Sequence, residues 1–167
     1  MTDQPPVLIL TTGGTIDKTY FDARSEYSVG DPQITDILRS VGATYPYVVA
    51  TLMAKDSMDL SPEDRDTIRH RVHQADERRI LITHGTDTMV ETALHLGRVP
   101  DKTVVLVGAL LPARFKHTDA EFNIGFALAA TQVLPPGTYL AMNGQVFRPE
   151  EVCKNFERNR FEAKDRC

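Results

Sequence analysis

Residues 80–88, ILITHGTDT, specify the fold of this chain most clearly. The stretch opens with a continuous apolar run, and residues 104–107, VVLV, have the same character. Apolar runs without alternation are typical of parallel strands that helices cover on both faces. Residues 80–88 therefore predict a buried parallel strand that ends in a turn rich in hydroxyl groups.

A second turn of this kind, TTGGT at residues 11–15, follows the apolar run at residues 7–10. In open α/β sheets, ligands bind in the crevice beyond the carboxyl ends of the strands. If the two strands are neighbours, their turns direct threonine hydroxyls and Asp87 into one pocket. This arrangement favours nucleophilic catalysis by threonine.

The rest of the chain alternates apolar runs with helical patterns, which is typical of βαβ units. Residues 61–64, SPED, have the signature of a helix start, with a serine N-cap, a proline and two acids. We predict an α/β fold with a doubly wound, mostly parallel sheet and helices on both faces. The apolar runs lie at residues 7–10, 34–41, 47–52, 68–75, 80–83, 89–96, 103–107, 122–133 and 138–142.

Length and charge narrow the class of protein. The 167 residues predict a single domain, 1–167, and the formal net charge is −4 with scattered basic residues. No basic surface for nucleic acid is indicated. The first residues lack a basic signal region, and no apolar run approaches the ~18 residues that span a membrane. We predict a cytoplasmic protein that binds neither nucleic acid nor membranes.

The cysteines and histidines do not form a metal-binding pattern. Cys153 and Cys167 make no Cys-x-x-Cys pair, and the five histidines are dispersed. We therefore expect neither a metal site nor a disulfide framework.

Two segments lack regular patterning. Residues 17–30 are polar and longer than a usual βα loop, and we predict that they form an active-site lid. The charged tail at residues 156–167 is predicted to form a terminal helix or to fray.

The glycines at residues 13–14 allow several interpretations. Their turn fits neither the dinucleotide pattern GxGxxG nor the Walker pattern, and two glycines can simply permit a tight strand exit. The flanking Thr12 and Thr15 and the distant Lys154 favour catalysis instead. A threonine hydroxyl needs a nearby base to take its proton, and a lysine serves when burial favours its neutral amine.

These motifs together resemble the amino-terminal domain of the bacterial-type L-asparaginases, which is a Rossmann or flavodoxin-like domain. The resemblance runs from about residue 7 to residue 155, and its second motif is highly specific. The matching motifs are TGGTI at residues 12–16, ITHGTDTMVET at 82–92, VGALLP at 107–112, FN at 122–123 and VCKN at 152–155.

The resemblance implies catalytic roles for five residues. Thr15 takes the place of the primary nucleophile, and Tyr27 that of the lid tyrosine beside it. Thr86, Asp87 and Lys154 correspond to a triad of threonine, aspartate and lysine.

The resemblance also implies how the substrate binds. Ser57 would hold the α-carboxylate and Asp87 would face the α-ammonium group, with Met58 and Thr86 beside them. The backbone carbonyl of Ala109 would lie near the leaving amide.

The implied reaction is hydrolysis of L-asparagine to L-aspartate and ammonia through a covalent acyl-threonine, with L-glutamine as a weaker substrate. No metal or organic cofactor is implied. A homo-oligomer is the expected assembly.

Three departures from the family pattern qualify these expectations. Met58 replaces a glutamine and cannot donate a hydrogen bond. Residues 119–123 read DAEFN instead of DGPFN, which puts the role of this run in doubt. The usual carboxy-terminal domain is absent, and we interpret the chain as a naturally short enzyme, the alternative being a fragment with an open pocket.

Two other classes of function remain open. The chain resembles the ammonia-producing domain of a tRNA-dependent amidotransferase, although the amino-terminal extension of that subunit is missing. It could also be a noncatalytic amino-acid sensor that keeps only the head-group site formed by Ser57 and Asp87.

Overall fold

The computed structural model describes residues 4–21 and 26–167. Ten strands and four α-helices occur along this part of the chain. The strands are β1 (Val7–Gly13), β2 (Lys18–Phe21), β3 (Glu26–Val29), β4 (Tyr47–Lys55), β5 (Arg79–Thr83), β6 (Thr103–Val107), β7 (Gly137–Met142), β8 (Gln145–Phe147), β9 (Val152–Asn155) and β10 (Arg160–Ala163). The helices are α1 (Ile34–Ser40), α2 (Pro62–Gln74), α3 (Met89–Leu96) and α4 (Ala120–Val133).

Six strands form the central sheet in the order β4-β1-β5-β6-β7-β8. All neighbours pair in parallel except β8, which runs antiparallel to β7 at one edge. The predicted doubly wound, mostly parallel sheet is confirmed.

The innermost strands are covered on both faces. Every residue of β1 and β6 is buried, as are residues 80–83 of β5. Because successive side chains of a strand point to opposite faces, complete burial requires cover on both sides. This confirms the interpretation of the continuous apolar runs.

The order of the strands places a crevice between β1 and β5. From β1 the chain crosses to β4 on one side, and from β5 it crosses to β6 on the other. Ligands bind at such a switch point, beyond the carboxyl ends of the two strands. The turns that follow β1 and β5 are the two threonine-bearing turns of the sequence.

Helix α2 begins where the sequence predicts. The Ser61 side chain accepts a hydrogen bond from the backbone N–H of Asp64, and the Asp64 side chain accepts one from the Ser61 N–H. This reciprocal capping box satisfies two N–H groups that the helix itself leaves unpaired. Ile68 and Val72 form the buried stripe of the helix.

Two predictions that involve the end of the chain are wrong: that residues 156–167 form a terminal helix or fray, and that the cysteines form no disulfide. The tail forms strand β10, which pairs with β9 and buries the Phe161 side chain at 1% exposure. Burial of this aromatic side chain favours the hairpin over a solvated helix. The same hairpin brings the chain back on itself, and a disulfide joins Cys153 to Cys167.

The predicted lid at residues 17–30 contains regular structure. Strands β2 and β3 pair antiparallel within it, and the Tyr20 ring lies 5.3 Å from the Tyr27 ring across the pair. Residues 22–25 of the lid lie outside the described residues. None of the helices in residues 4–21 and 26–167 is long and apolar enough to cross a membrane.

Candidate active site

Close packing of two glycines joins the threonine-bearing turns. Gly14 has a φ of 94°, and a side-chain carbon added to it would overlap the backbone of Gly85. A left-handed φ together with this contact requires glycine. Since Thr15 follows Gly14 and Thr86 follows Gly85, the two predicted catalytic turns meet at this contact.

Thr12, unlike Thr15, serves the scaffold. Its Oγ1 donates a 2.8 Å hydrogen bond to the Thr83 carbonyl and so ties the end of β1 to the end of β5. The Thr15 side chain is half-buried. Within the described residues, its hydroxyl has no hydrogen-bond partner, which leaves it available to a ligand.

Lys154 reaches the turn after β5 from the hairpin of β9 and β10. Its Nζ donates to the Thr86 Oγ1 at 2.8 Å and to the Asp87 Oδ1 at 2.5 Å. The Lys154 side chain is only 9% exposed, whereas that of Asp87 is 36% exposed. The structure thus brings the predicted triad together around one amine.

Ser57 lies on the other side of the same turn. A side-chain carbon on Gly85 would overlap the Ser57 side chain, and the Thr88 Oγ1 donates to the Ser57 carbonyl at 2.8 Å. The Ser57 Oγ is buried and has no partner among the described residues. An unpaired buried hydroxyl costs about 1–3 kcal/mol, which a ligand acceptor would recover.

A cavity of about 540 Å³ opens beside Asp87 of the triad. Three of the predicted site residues, Tyr27, Met58 and Asp87, line it. Tyr27 is 53% exposed, and its ring lies 6.3 Å from the ring of Phe115. Met58 is 69% exposed and presents no hydrogen-bond donor in its side chain.

The turn after β6 completes the site. A side-chain carbon on Gly108 would lie 3.2 Å from the Thr86 methyl group, so the start of this turn packs against Thr86, and Ala109 is the next residue. Ala109 is 1% exposed.

Residues 6–164 match the family Asparaginase, N-terminal. The chain belongs to the asparaginase family. It is 35% identical over 156 residues to the L-asparaginase of Thermococcus kodakarensis, covering 89% of this chain and 47% of that protein. It is 29% identical over 163 residues to L-asparaginase 2 of Escherichia coli, covering 90% of this chain and 46% of that protein.

Solved structures have the same architecture. The thermostable L-asparaginase from Thermococcus kodakarensis superposes with a TM-score of 0.83 at 30% identity, covering 95% of this chain and 51% of that one. A probable cytoplasmic L-asparaginase from Campylobacter jejuni superposes with a TM-score of 0.83 at 26% identity, covering 97% of this chain and 54% of that one. The chain spans about half the length of the relatives it matches.

His84 of this asparaginase domain was not among the predicted site residues. It is completely buried, and its Nδ1 lies 2.7 Å from the Gly85 carbonyl and its Nε2 2.8 Å from the Thr92 Oγ1. A carbonyl only accepts, so we assign the proton to Nδ1 and let Nε2 accept from Thr92. Burial lowers the pKa of His84 to about 4. The neutral ring therefore supports the turn that carries Thr86.

Acid should destabilise the domain through His84. The unfolded chain binds a proton near the ordinary pKa of 6.5, whereas the folded chain binds it only near 4. The contribution of His84 to the free energy of unfolding is therefore fully present above pH 6.5. It falls as the pH drops towards 4, by up to about 3 kcal/mol. Urea unfolding at several pH values should show a shallower decline for His84→Gln than for wild type. The exposed His117→Gln should retain the wild-type decline, and equal curves for all three proteins would contradict the assignment.

Asp17 anchors the base of the lid. Its Oδ1 accepts the Gln33 N–H at 2.8 Å, and its carbonyl accepts the Gly30 N–H at 2.8 Å. Burial raises the pKa of this carboxyl to about 6, and the Gln33 bond opposes the rise. The sequence analysis placed Asp17 only at the start of the predicted lid. The nearest feature of the sequence that could have pointed to it is Thr15, two positions earlier.

A second large cavity lies away from the predicted site residues. Another cavity, of about 580 Å³, lies at the amino-terminal ends of β6 and β7 and contains no predicted site residue. Within the part of the chain that the structure describes, no three histidine, cysteine or acidic side chains cluster as metal ligands.

Proposed function

We propose that this chain is an L-asparagine amidohydrolase that releases L-aspartate and ammonia. The contact of the Lys154 Nζ with both the Thr86 Oγ1 and the Asp87 Oδ1 carries the proposal. A base that is hydrogen-bonded to a hydroxyl and held by a third group is suited to activating an oxygen nucleophile. In the second step below, that nucleophile is the water that Thr86 orients. Membership of the asparaginase family supports the amide as the bond to be cleaved.

The first step that we propose is attack by the Thr15 hydroxyl oxygen on the side-chain amide carbon. Its proton passes to the departing nitrogen, and ammonia leaves as the acyl-threonine ester forms. Backbone N–H groups of the glycine turn, or the Thr86 hydroxyl, would stabilise the negative oxygen of the tetrahedral intermediate.

The second step in the proposal is hydrolysis of the ester. Thr86 orients a water molecule, and Lys154 accepts a proton from it as the water oxygen attacks. The ester bond breaks, the proton held by Lys154 is returned to the Thr15 oxygen, and aspartate is released.

The proposed head-group site uses Ser57 and Asp87. The unpaired Ser57 hydroxyl would donate to the substrate carboxylate, and the Asp87 carboxylate would face the ammonium group. The Met58 side chain has no hydrogen-bond donor, so we expect weaker substrate binding than a glutamine there would provide. L-Glutamine, longer by one methylene, is the weaker substrate in this proposal, because one methylene is worth about 1–3 kcal/mol of discrimination.

The assembly and the compartment are further parts of the proposal. We expect a symmetric homo-oligomer, which is the commonest assembly of soluble enzymes. A cytoplasmic location remains a prediction from the sequence.

Ammonia release from the purified chain tests the proposal directly. We expect turnover of L-asparagine, slower turnover of L-glutamine, and a solution mass above that of one chain. Binding of asparagine without ammonia release would contradict the enzyme and support an amino-acid sensor. Ammonia release only in the presence of a partner subunit would support the amidotransferase alternative.

A further inference from the structure

The Asp119 carboxylate is directed at the turn after β6. Both of its oxygens lie 3.0 Å from the Leu110 nitrogen, and Oδ1 also accepts the Leu111 N–H at 3.0 Å. Hydrogen bonds from N–H groups to a charged acceptor are about twice as strong as neutral ones. The carboxylate therefore holds the backbone of residues 110–111 in one orientation.

Asn123, in the first turn of α4, holds the other end of the same turn. Its Nδ2 donates to the Gly108 carbonyl at 3.0 Å and to the Asp119 Oδ2 at 2.7 Å. The residue is 2% exposed. Asp119 and Asn123 thus hydrogen-bond to the backbone on both sides of Ala109.

Helix capping does not account for Asp119. An aspartate at the N-cap of a helix ordinarily accepts an N–H from the first turn. Asp119 occupies the N-cap of α4 but makes no such bond, and the Thr118 hydroxyl accepts the Ala120 N–H instead. The carboxylate is used for the neighbouring turn.

The Ala109 carbonyl is left without a partner inside this well-bonded turn. Gly108 has its carbonyl bonded to Asn123 and its N–H directed at the Met142 sulfur. No donor within residues 4–21 and 26–167 reaches the Ala109 oxygen, although Ala109 is 1% exposed. A buried, unpaired carbonyl in a fixed orientation is an acceptor prepared for a ligand N–H.

We propose that Asp119 and Asn123 are positioning residues that hold the Ala109 carbonyl as the hydrogen-bond acceptor for the departing amide nitrogen. The inference rests on the proposed amidohydrolase function and adds a specificity role to it. The carbonyl would orient the –NH2 group of the substrate and then accept from the ammonia that leaves.

A comparison of two substrates tests this role in Asp119→Asn. L-Asparagine carries N–H donors on its leaving group, whereas the β-methyl ester of L-aspartate carries none. Both would form the same acyl-threonine, so kcat/KM reports the step in which the leaving group departs. We expect kcat/KM for asparagine to fall roughly 100-fold, as small misplacements near a reacting group can cause. The value for the ester should change less than about threefold.

The outcomes separate the inference from the proposed function. If wild type cleaves neither substrate, the amidohydrolase function itself is wrong. If wild type cleaves both and Asp119→Asn loses the two activities equally, or loses neither, the positioning role is overturned while the function stands.

Two further variants control the experiment. Glu121→Gln, on the same helical turn, removes an exposed charge from a residue that makes no side-chain hydrogen bond among the described residues, and it should leave both activities unchanged. Asn123→Ala keeps the Asp119 carboxylate and removes the bond to the Gly108 carbonyl, so it should show the same loss for asparagine alone. If Asp119→Asn does not fold, Asn123→Ala tests the positioning role in its place. In either variant, retained cleavage of the ester demonstrates that the protein is folded.

Discussion

Thr15→Ala should abolish hydrolysis of L-asparagine while the domain remains folded. The substitution removes the oxygen that would form the acyl intermediate, and loss of a nucleophile lowers kcat by on the order of 1,000-fold or more. Stability should change little, because the Thr15 hydroxyl makes no hydrogen bond among the described residues and a half-buried turn hydroxyl contributes little to a core. Ammonia release and thermal unfolding, measured on one preparation, check both parts of this expectation.

Two comparisons make the test of Thr15 specific. Thr15→Ser restores a hydroxyl at the same atom and should recover part of the activity. Mass spectrometry of quenched reactions should detect the acyl adduct on wild type and not on Thr15→Ala. An adduct that persists in Thr15→Ala would identify another nucleophile, and Thr86 would then be the first candidate.

Lys154→Met should lower kcat by roughly 100-fold to 10,000-fold, the range that general acid–base catalysis contributes. Methionine approximates the length of the lysine stem but cannot accept a proton, so the Thr86 hydroxyl and the Asp87 carboxylate both lose their shared partner. The dependence of kcat on pH should change shape, because the variant has no side-chain proton acceptor at this position. Steady-state rates between pH 5 and 10 provide the measurement.

The exposed Lys164→Met is the matched control, because Lys164 follows the same hairpin and its side chain makes no hydrogen bond to the described residues. It should keep the wild-type rate and the wild-type pH profile. A profile of unchanged shape in Lys154→Met would show that Lys154 acts through structure rather than as a proton acceptor.

The core of the fold could be predicted from local patterns. Buried parallel strands produce continuous apolar runs, and both β5 and β6 were recognised in this way. The capping box of α2 involves Ser61 and Asp64, only three positions apart, so it too can be read from the sequence. The tail could not be read correctly, because β10 depends on pairing with β9 and on burial of Phe161 rather than on its own charged pattern.

The candidate site also contains residues that the sequence predicts and residues whose contacts only the structure shows. Thr15, Thr86 and Lys154 were identified because each lies in a short motif of recognisable order. The roles of Asp119 and Asn123 could not be assigned, because a carboxylate at a helix start usually caps that helix. Only the folded structure shows that this carboxylate bonds instead to residues 110 and 111.

By itself the sequence determined the buried strands β1, β5 and β6, the helix start at Ser61 and the candidate reactive side chains, because these depend on periodicity and residue chemistry within a few positions. Tertiary structure decided which groups meet: it placed Lys154 against Thr86, 68 positions away, and left the Ser57 hydroxyl buried without a partner among the described residues. Contacts at such separation follow from the order of strands in the sheet, which no local pattern encodes.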